Sequence, residues 1–247
     1  MAHRLGEAVS LPRPRTVMGR RAGWRLLLGL VICYSAVHLG YSLWRYRIWG
    51  RDASTIVYGA DVRRPWMEAK NWKAGKPLLL RDVIYPPFYN ALKVPWTILE
   101  YRVVEPIFYV SQFLWYLLAI WLMVKTAFLD KPPPVMAYVV ATALMVNFHP
   151  FLETVALYKV EGLEVFLICL AIYAFKHHRD VAAGMIIVVA ANLKYLPGIL
   201  ILYFLVKREW RVILGMLIGA VLLVGLLLPM FGAKLLWDYA SYPAMFL

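Results

Sequence analysis

The 247-residue chain contains few charged residues and only two cysteines. Charged residues make up 17% of the sequence and hydrophobic residues 62%, whereas a soluble domain is closer to one quarter charged and one half apolar. Cys33 and Cys169 both lie inside apolar runs and form no spacing motif, so we interpret them as small core residues. No phosphate-binding glycine loop, HExxH or CxxC pattern occurs, so the sequence does not support nucleotide or zinc chemistry.

The excess of apolar residues requires lipid to bury it and predicts an all-α polytopic membrane protein, with a transmembrane helix bundle over residues 24–230. We count about seven membrane segments, at residues 24–44, 106–124, 134–148, 163–175, 181–196, 197–206 and 212–230. The region 181–206 is ambiguous, because two short crossings and one long tilted helix both fit it. Pro197 and Gly198 favour two crossings, since a proline interrupts a helix.

Basic residues are distributed unevenly around the apolar runs. The formal net charge of +13 would suit a nucleic-acid-binding protein, but no basic helix stands clear of the apolar runs, so we predict no nucleic-acid partner. The positive-inside rule instead predicts a basic cytoplasmic tail at residues 1–23 and cytoplasmic turns at KTAFLDKPPP, KHHRD and KREWR. We interpret His177 and His178 as part of such a turn and not as a metal pair.

The same rule puts residues 45–105 in an outer loop that contains a segment with helical periodicity. Val62, Trp66, Ala69 and Trp72 recur at helical spacing, and basic residues occupy much of the remaining surface. This pattern predicts an amphipathic helix that lies in the membrane interface and ends near Gly75. The next segment, YPPFYNALKVPW, is predicted to be stiff and non-helical, because paired prolines oppose a helix. Residues 231–247 are expected to start a further outer loop at which the chain is truncated.

Asp61 stands at the head of the predicted amphipathic helix. One interpretation is an N-cap, because an aspartate accepts hydrogen bonds from the free amides of a first helical turn. The other is a carboxylate held at the membrane surface as a general base. The two roles are compatible, although Pro65 weakens the N-cap interpretation because proline prefers the first helical position.

Lys194 is the second candidate, because an ammonium group among apolar spans is costly and often functional. It either extends to the membrane surface or binds a lipid phosphate. We interpret a group of charged residues in the third outer loop as a solvated turn. This group consists of Glu153, Lys159, Glu161 and Glu164, with His149 before them.

Several short motifs occur in the order and spacing of a known family. Asp61, Ala69, Gly75 and Pro77 form a D-x7-A-x5-G-x-P pattern, YPP follows it, and AAGMIIVVAANLKYLPGILILYFLVKREWR comes later. Together these motifs resemble those of the polyprenyl-phosphate-sugar-dependent glycosyltransferases of the GT-C superfamily. The similarity is closest to glycosyltransferase family 87, which includes bacterial polyprenol-phosphate-mannose mannosyltransferases, and it extends over residues 24–237.

The resemblance relates individual positions to the family. The family's first-loop aspartate corresponds to Asp61, its K-x-x-P motif begins at Lys194, and its YPP motif begins at Tyr85. In the outer loop before the fourth span, such proteins often have Gly-Gln, whereas this chain has Gly162 and Leu163, so the contacts of that glutamine do not carry over. Family members are also longer, with several more C-terminal spans that help to form the acceptor site.

The resemblance implies a membrane hexosyltransferase with a GT-C-like helix bundle. It would transfer a hexose, with mannose favoured, from a polyprenyl-phosphate donor to a glycolipid or glycan acceptor, with inversion. Asp61 would be the general base, and cations would stabilise the departing phosphate. The expected donor-binding residues are Lys194, Arg63, Arg64, Lys159 and Tyr85. No cofactor and no dedicated metal site are expected, although a divalent cation is optional.

Two alternatives to the enzyme stay open at the level of the residues. A lipid or solute transporter, such as a flippase, would also use an intramembrane lysine and a broken span. A non-catalytic subunit or a truncated relic of the enzyme is the other alternative. The lack of a visible inverted repeat and the concentration of polar residues in one outer loop favour the enzyme. Its expected location is the bacterial plasma membrane, among membrane lipids, with the active site on the outer face.

Overall fold

The computed structural model describes residues 17–52, 60–76, 86–129, 131–157 and 159–241, and over these ranges the chain is helical, without a strand. The α-helices are α1 (Val17–Asp52), α2 (Ala60–Lys73), α3 (Pro87–Lys93), α4 (Tyr101–Ala127), α5 (Val135–Val146), α6 (His149–Leu157), α7 (Glu161–Lys176), α8 (Asp180–Ala191), α9 (Leu200–Val206) and α10 (Trp210–Ser241). Two 3-10 helices, Val94–Ile98 and Leu196–Ile199, lie directly after α3 and directly before α9. The predicted all-α class is therefore confirmed for the described part of the chain.

Among the described residues, three helices are long and apolar enough to cross a membrane. They are Arg25–Trp44 within α1, Tyr101–Ala127 (α4) and Trp210–Tyr239 within α10. The helices α5 and α6 meet at a bend of 74° and supply a fourth span if they are counted as one. The helices α7, α8 and α9 coincide with further predicted segments but are shorter, so the total of seven membrane segments stays a prediction.

The outward faces of the long helices are apolar. Val37 in α1 and Val221 in α10 are each 71% exposed, and Val110 in α4 is 64% exposed. Monomeric soluble proteins rarely expose contiguous apolar surfaces of this kind. Lipid is therefore the medium expected to cover these faces, in agreement with a helical membrane protein.

The helices α8 and α10 pack closely through glycine. A Cβ atom on Gly184 would lie 2.0 Å from the carbonyl oxygen of Val212, and one on Gly215 would lie 2.1 Å from that of Val181. Without side chains at these positions, the two backbones approach each other directly, which is how many membrane helices associate. This contact, together with α7, forms the centre of the bundle.

Gly184→Ala is expected to destabilise the protein, because the added methyl group would force the α8 and α10 backbones apart. Overpacking of this kind costs about 1–3 kcal/mol. The measurement is the Tm of the purified protein in detergent. Gly225→Ala in α10 is the matched control, because no atom lies within 4 Å of a Cβ at that position. Equal Tm values for the two variants would contradict the close contact.

The turns at the end of the bundle near Val212 have the same geometry. In the turn between α7 and α8, the amide of Arg179 donates a hydrogen bond of 2.9 Å to the carbonyl oxygen of Ala174. In the turn between α9 and α10, the amide of Glu209 donates one of 3.0 Å to the carbonyl oxygen of Phe204. These are the six-to-one hydrogen bonds of a Schellman motif, whose left-handed position is usually glycine. Here it is occupied by His178, with φ 56°, and by Arg208, with φ 57°.

An apolar cluster lies away from these turns, near the start of α7 and the end of α8. It joins Phe88 and Tyr89 of α3 to Val160, to Leu193 and to residues in the middle of α10, including Leu223 and Leu227. Near this end α10 contains Gly232 with φ 76°, which interrupts its helical geometry. The short helix α3 is therefore packed into the bundle and does not lie apart from it.

The helix α2 has the periodicity that the sequence predicts. Val62 and Ala69 are buried, Arg63 and Arg64 are exposed, and Gly75 follows the helix with φ 78° in the left-handed region that suits glycine. Its buried face contacts α3, the 3-10 helix Val94–Ile98 and α4. The helical prediction is thus confirmed, whereas its location in the membrane interface stays a prediction.

The expectation of a non-helical stretch after YPP was wrong. Residues Pro87–Lys93 form α3, and residues Val94–Ile98 continue as a 3-10 helix. Pro86 is extended, with φ −56° and ψ 152°, and Pro87 occupies the start of the helix. Proline is tolerated there because the first helical amides have no partner within the helix. The paired prolines therefore initiate a helix instead of preventing one.

The region 181–206 is interrupted, as the sequence predicts. The helix α8 ends at Ala191, and the next helical residue is Leu196. Pro197 stands at the start of the 3-10 helix that follows, where its missing amide hydrogen leaves no broken bond. The break is confirmed, and it places Lys194 in the short connection between the two helical pieces.

Candidate functional site

The candidate site lies where α2, α3 and the start of α4 meet. The indole Nε1 of Trp66 in α2 donates a hydrogen bond of 3.2 Å to the carbonyl oxygen of Trp96. The ring of Trp66 also lies 5.5 Å from that of Tyr101, at the start of α4. These contacts fix α2 against the elements that follow YPP. Two parts of the segment predicted as an outer loop, far apart in sequence, therefore form one packed layer.

Asp61 lies in the first turn of the described part of α2, which begins at Ala60. Its side chain is outside the described residues, so its role as base or cap stays a prediction. Arg63 and Arg64, two and three residues later, are exposed, and the guanidinium carbon of Arg63 lies 5.9 Å from the centre of the Tyr101 ring. Tyr85 is also outside the described residues.

Lys194 forms an ion pair that the sequence does not reveal. Its Nζ lies 2.7 Å from Oε1 of Glu161, the first residue of α7. The other carboxylate oxygen of Glu161 is buried and has no hydrogen-bond partner among the described residues. The lysine side chain is 39% exposed, so this ammonium group reaches the surface while a carboxylate holds it in place.

The interpretation of the third outer loop as a solvated turn is wrong at Glu164. This residue is buried, one helical turn after Glu161 on the same helix. Lys159 agrees better with the interpretation, because its Nζ lies 2.7 Å from Oε1 of Glu153, whose side chain is 43% exposed. The start of α7 therefore carries one acidic residue paired with a lysine, Glu161, and one that is buried, Glu164.

Lys93 is a site residue that the sequence interpretation missed. Its side chain is only 4% exposed, and its Nζ lies 3.6 Å from the ring centre of Phe108 and 4.5 Å from that of Tyr89. Burial lowers the pKa of Lys93 well below its usual value. The available signal was the four-residue spacing between Tyr89 and Lys93, which puts both on one face of a helix. It was overlooked because this stretch was predicted to be non-helical.

Lys93 lines a cavity of about 320 Å³ between α3, α4 and the start of α7. The aromatic side chains that line it are Tyr89, Trp96, Phe108 and Trp115. Its polar side chains, besides Lys93, are Ser111 and Gln112. Rings together with a few polar groups are typical of a small-molecule pocket.

Gln112 occupies the corner of this cavity next to Gly162. It is buried, its Oε1 atom has no hydrogen-bond partner among the described residues, and a Cβ on Gly162 would lie 2.5 Å from that atom. The glycine therefore makes room for the amide of Gln112. The residue after Gly162 is a leucine, so it cannot provide a glutamine side chain here. The glutamine at this corner is Gln112, which comes from α4.

The described residues contain no group of three or more His, Cys, Asp or Glu side chains that could hold a metal ion. The surrounding elements carry both signs of charge, and several of the positive groups are candidates for binding an anion. Lys93, Lys194, Arg63 and Arg64 all lie on or beside the elements that form the site. Such an arrangement suits a substrate that carries negative charge, because cations in a partly buried site stabilise it without reorganising.

Comparison with known proteins defines the class. The family model of glycosyltransferase family 87 matches residues 84–244, which is more than half of the chain. The protein is thus a membrane glycosyltransferase of the GT-C superfamily. The chain belongs to glycosyltransferase family 87, as the motifs in its sequence suggest. The matched region begins after α2, so it includes Lys93, Gln112 and Lys194 but not Asp61. No curated protein and no solved structure matches the chain.

Proposed function

We propose that this protein transfers a hexose, with mannose favoured, from a polyprenyl-phosphate donor to a glycolipid or glycan acceptor. Transfer takes place with inversion on the outer face of the bacterial plasma membrane. The observation that carries the proposal is the family match over residues 84–244. The packing of α2, the helix of Asp61, against the matched elements α3 and α4 supports it further, because it brings this helix beside a cationic site.

The proposed reaction is a single displacement at the anomeric carbon. The acceptor hydroxyl oxygen forms a bond to this carbon while the bond to the phosphate oxygen breaks. The proton of the hydroxyl passes to the carboxylate of Asp61, which acts as general base. Polyprenyl phosphate departs with the electron pair of the broken bond. The anomeric configuration inverts because attack and departure occur on opposite faces.

Cations supply the electrostatic part of the proposed mechanism. Negative charge grows on the phosphate oxygens as the bond breaks, and fixed positive groups lower the energy of that state. Lys194, held by Glu161, is one candidate contact, with Arg63, Arg64 and Lys159 as the others and Tyr85 as a hydroxyl donor. Because the leaving group is already a phosphate, a divalent cation is optional.

The proposal is tested with the purified protein in proteoliposomes that contain a membrane glycolipid extract. Labelled polyprenyl-phosphate-mannose is expected to yield a labelled glycolipid whose anomeric configuration is opposite to that of the donor. Polyprenyl-phosphate-glucose, offered in parallel, tests the preference for mannose. Transfer from a nucleotide sugar but from no polyprenyl-phosphate hexose would reject the proposed donor class.

The same preparation separates an enzyme from a flippase. A flippase would move the labelled lipid between leaflets without making a new glycosidic bond. The broken segment between α8 and α9 is the observation that favours this second function. Movement of the label without a new product would support the transporter, and a new product without movement would support the transferase.

A further inference from the structure

The positive groups around the site differ in their partners. Lys194 is paired with Glu161 and Lys159 with Glu153, both at 2.7 Å. The two arginines of α2 are exposed, so water can solvate them. Lys93 alone among these cations is both buried and without a carboxylate or hydrogen-bond partner in the described part of the chain.

Holding a positive charge on a buried amine of this kind is costly in the empty protein. Its only described contacts are the faces of Phe108 and Tyr89. Aromatic faces offset a part of the lost hydration, but they do not neutralise the charge. An anion that entered the cavity would supply the missing opposite charge, and in a low-dielectric site the attraction would be strong.

Gln112 gives an independent indication that the cavity holds a polar ligand. Gln112 is only 3% exposed, and its Oε1 atom has no partner among the described residues. Buried amides are normally hydrogen-bonded, so an unpaired one in a cavity wall points to a missing partner. A hydroxyl or a phosphate that bound beside Lys93 would provide it.

The remaining lining selects the kind of anion. Apart from Lys93, Ser111 and Gln112, the cavity is lined by rings and by aliphatic side chains such as Leu92 and Ile107. An inorganic ion would leave these apolar surfaces uncovered, whereas a prenyl chain attached to a phosphate would cover them. With about 320 Å³, the cavity has room for the head of such a lipid and not for its whole chain.

We propose that this cavity binds the phosphate group and first prenyl units of the lipid donor, with the ammonium of Lys93 on the phosphate oxygens. The inference rests on the proposed function, because it assigns a site to the donor of that reaction. It also changes the assignment of roles, since Lys93 becomes the first contact of the phosphate, ahead of Lys194, whose charge is already balanced by Glu161.

The test is a binding measurement that does not require turnover. Purified protein in nanodiscs is titrated with farnesyl phosphate, with farnesol and with inorganic phosphate. Wild type is expected to bind farnesyl phosphate at least tenfold more tightly than either other ligand. Lys93→Met is expected to lose this preference for the phosphate form while its Tm stays equal or rises. Lys70→Met is the matched control, because the Nζ of Lys70 also lies over a ring, 5.0 Å from Trp66, but at an exposed position.

Gln112→Leu provides a second variant that keeps the size of the side chain and removes its amide. It is expected to weaken farnesyl phosphate binding at least threefold, and it decides the matter should Lys93→Met fail to fold. Unchanged binding in both variants would overturn the Lys93 site and leave the proposed function standing. Equal affinity for inorganic phosphate would overturn the lipid as the ligand. No binding of farnesyl phosphate to wild type would overturn the cavity as the site of the lipid phosphate, and the transfer assay with polyprenyl-phosphate-mannose would decide separately on the donor class.

Discussion

Asp61→Asn is expected to lower kcat for hexose transfer by about 10²–10⁴-fold, because an amide cannot accept the proton of the acceptor hydroxyl. Asparagine has nearly the size of aspartate and retains much of its capping ability at the start of a helix. The Tm is therefore expected to stay close to that of wild type. The measurement is the initial rate of transfer from polyprenyl-phosphate-mannose at saturating donor, together with the Tm.

The matched control for this variant is Asp180→Asn. Asp180 lies in the first turn of α8, so both variants lose a carboxylate from the first turn of a helix. Only Asp61→Asn is expected to lose activity. Full activity in Asp61→Asn would reject Asp61 as the base. A similar loss in both variants would instead assign the effect to helix stability.

Lys194→Met is expected to lower kcat/KM by about 10²–10³-fold, because it removes a positive group beside the departing phosphate. The same change leaves the carboxylate of Glu161 without its partner at 2.7 Å. The structural part of this loss is small, since the lysine side chain is 39% exposed, and partly exposed ion pairs contribute about 1 kcal/mol or less. The measurement is steady-state kinetics with the donor varied, accompanied by the Tm.

A double variant separates the two parts of that effect. Glu161→Gln combined with Lys194→Met removes both charges, so the unpaired carboxylate no longer destabilises the fold. We expect the Tm to return towards that of wild type while kcat/KM stays low. Recovery of activity along with stability would show that Lys194 acts only through the fold. In that case its assignment to the donor phosphate would be withdrawn.

The sequence was most informative where local rules decide the structure. The spacing of Val62 and Trp66 predicted the buried face of α2, Gly75 predicted its end, and Pro197 predicted the break after α8. Each of these features depends on residues within a few positions of one another. The order of the motifs likewise led to the correct family, because short motifs at fixed spacing can be recognised in a sequence without knowing how the helices pack.

Features that depend on how helices meet could not be predicted in the same way. Glu161 and Lys194 are separated by 33 positions in sequence, and their pairing follows from the contact between the start of α7 and the end of α8. Lys93 looked like one more basic residue of an outer loop. Its burial requires α3 to be a helix and to pack against α4, and the paired prolines concealed that helix.

The number of spans cannot be derived from the apolar runs alone, and it stays a prediction. The helices α8 and α9 are only 12 and 7 residues long, well below the roughly 20 residues that cross a hydrocarbon core. Apolar composition alone does not distinguish a crossing from a short helix that is buried between longer ones. The close contact at Gly184 shows that α8 is held by protein, which composition also cannot reveal.

The two basic Schellman turns have a consequence for motion. A non-glycine residue in the left-handed region costs about 1–2 kcal/mol, and both His178 and Arg208 adopt it, so the hydrogen bonds and packing of these turns have to offset that cost. Around them, Phe204, Val212 and Met216 fill the space between the helices. We therefore expect that end of the bundle to move less than the other. Displacements that admit a lipid are expected at the far end, where α10 departs from helical geometry at Gly232 and α3 covers the cavity. Exchange of amide hydrogens is expected to be slower beside Arg208 than in α3. That result would indicate that the helix bundle opens at the end that contains α3 while the other end stays closed.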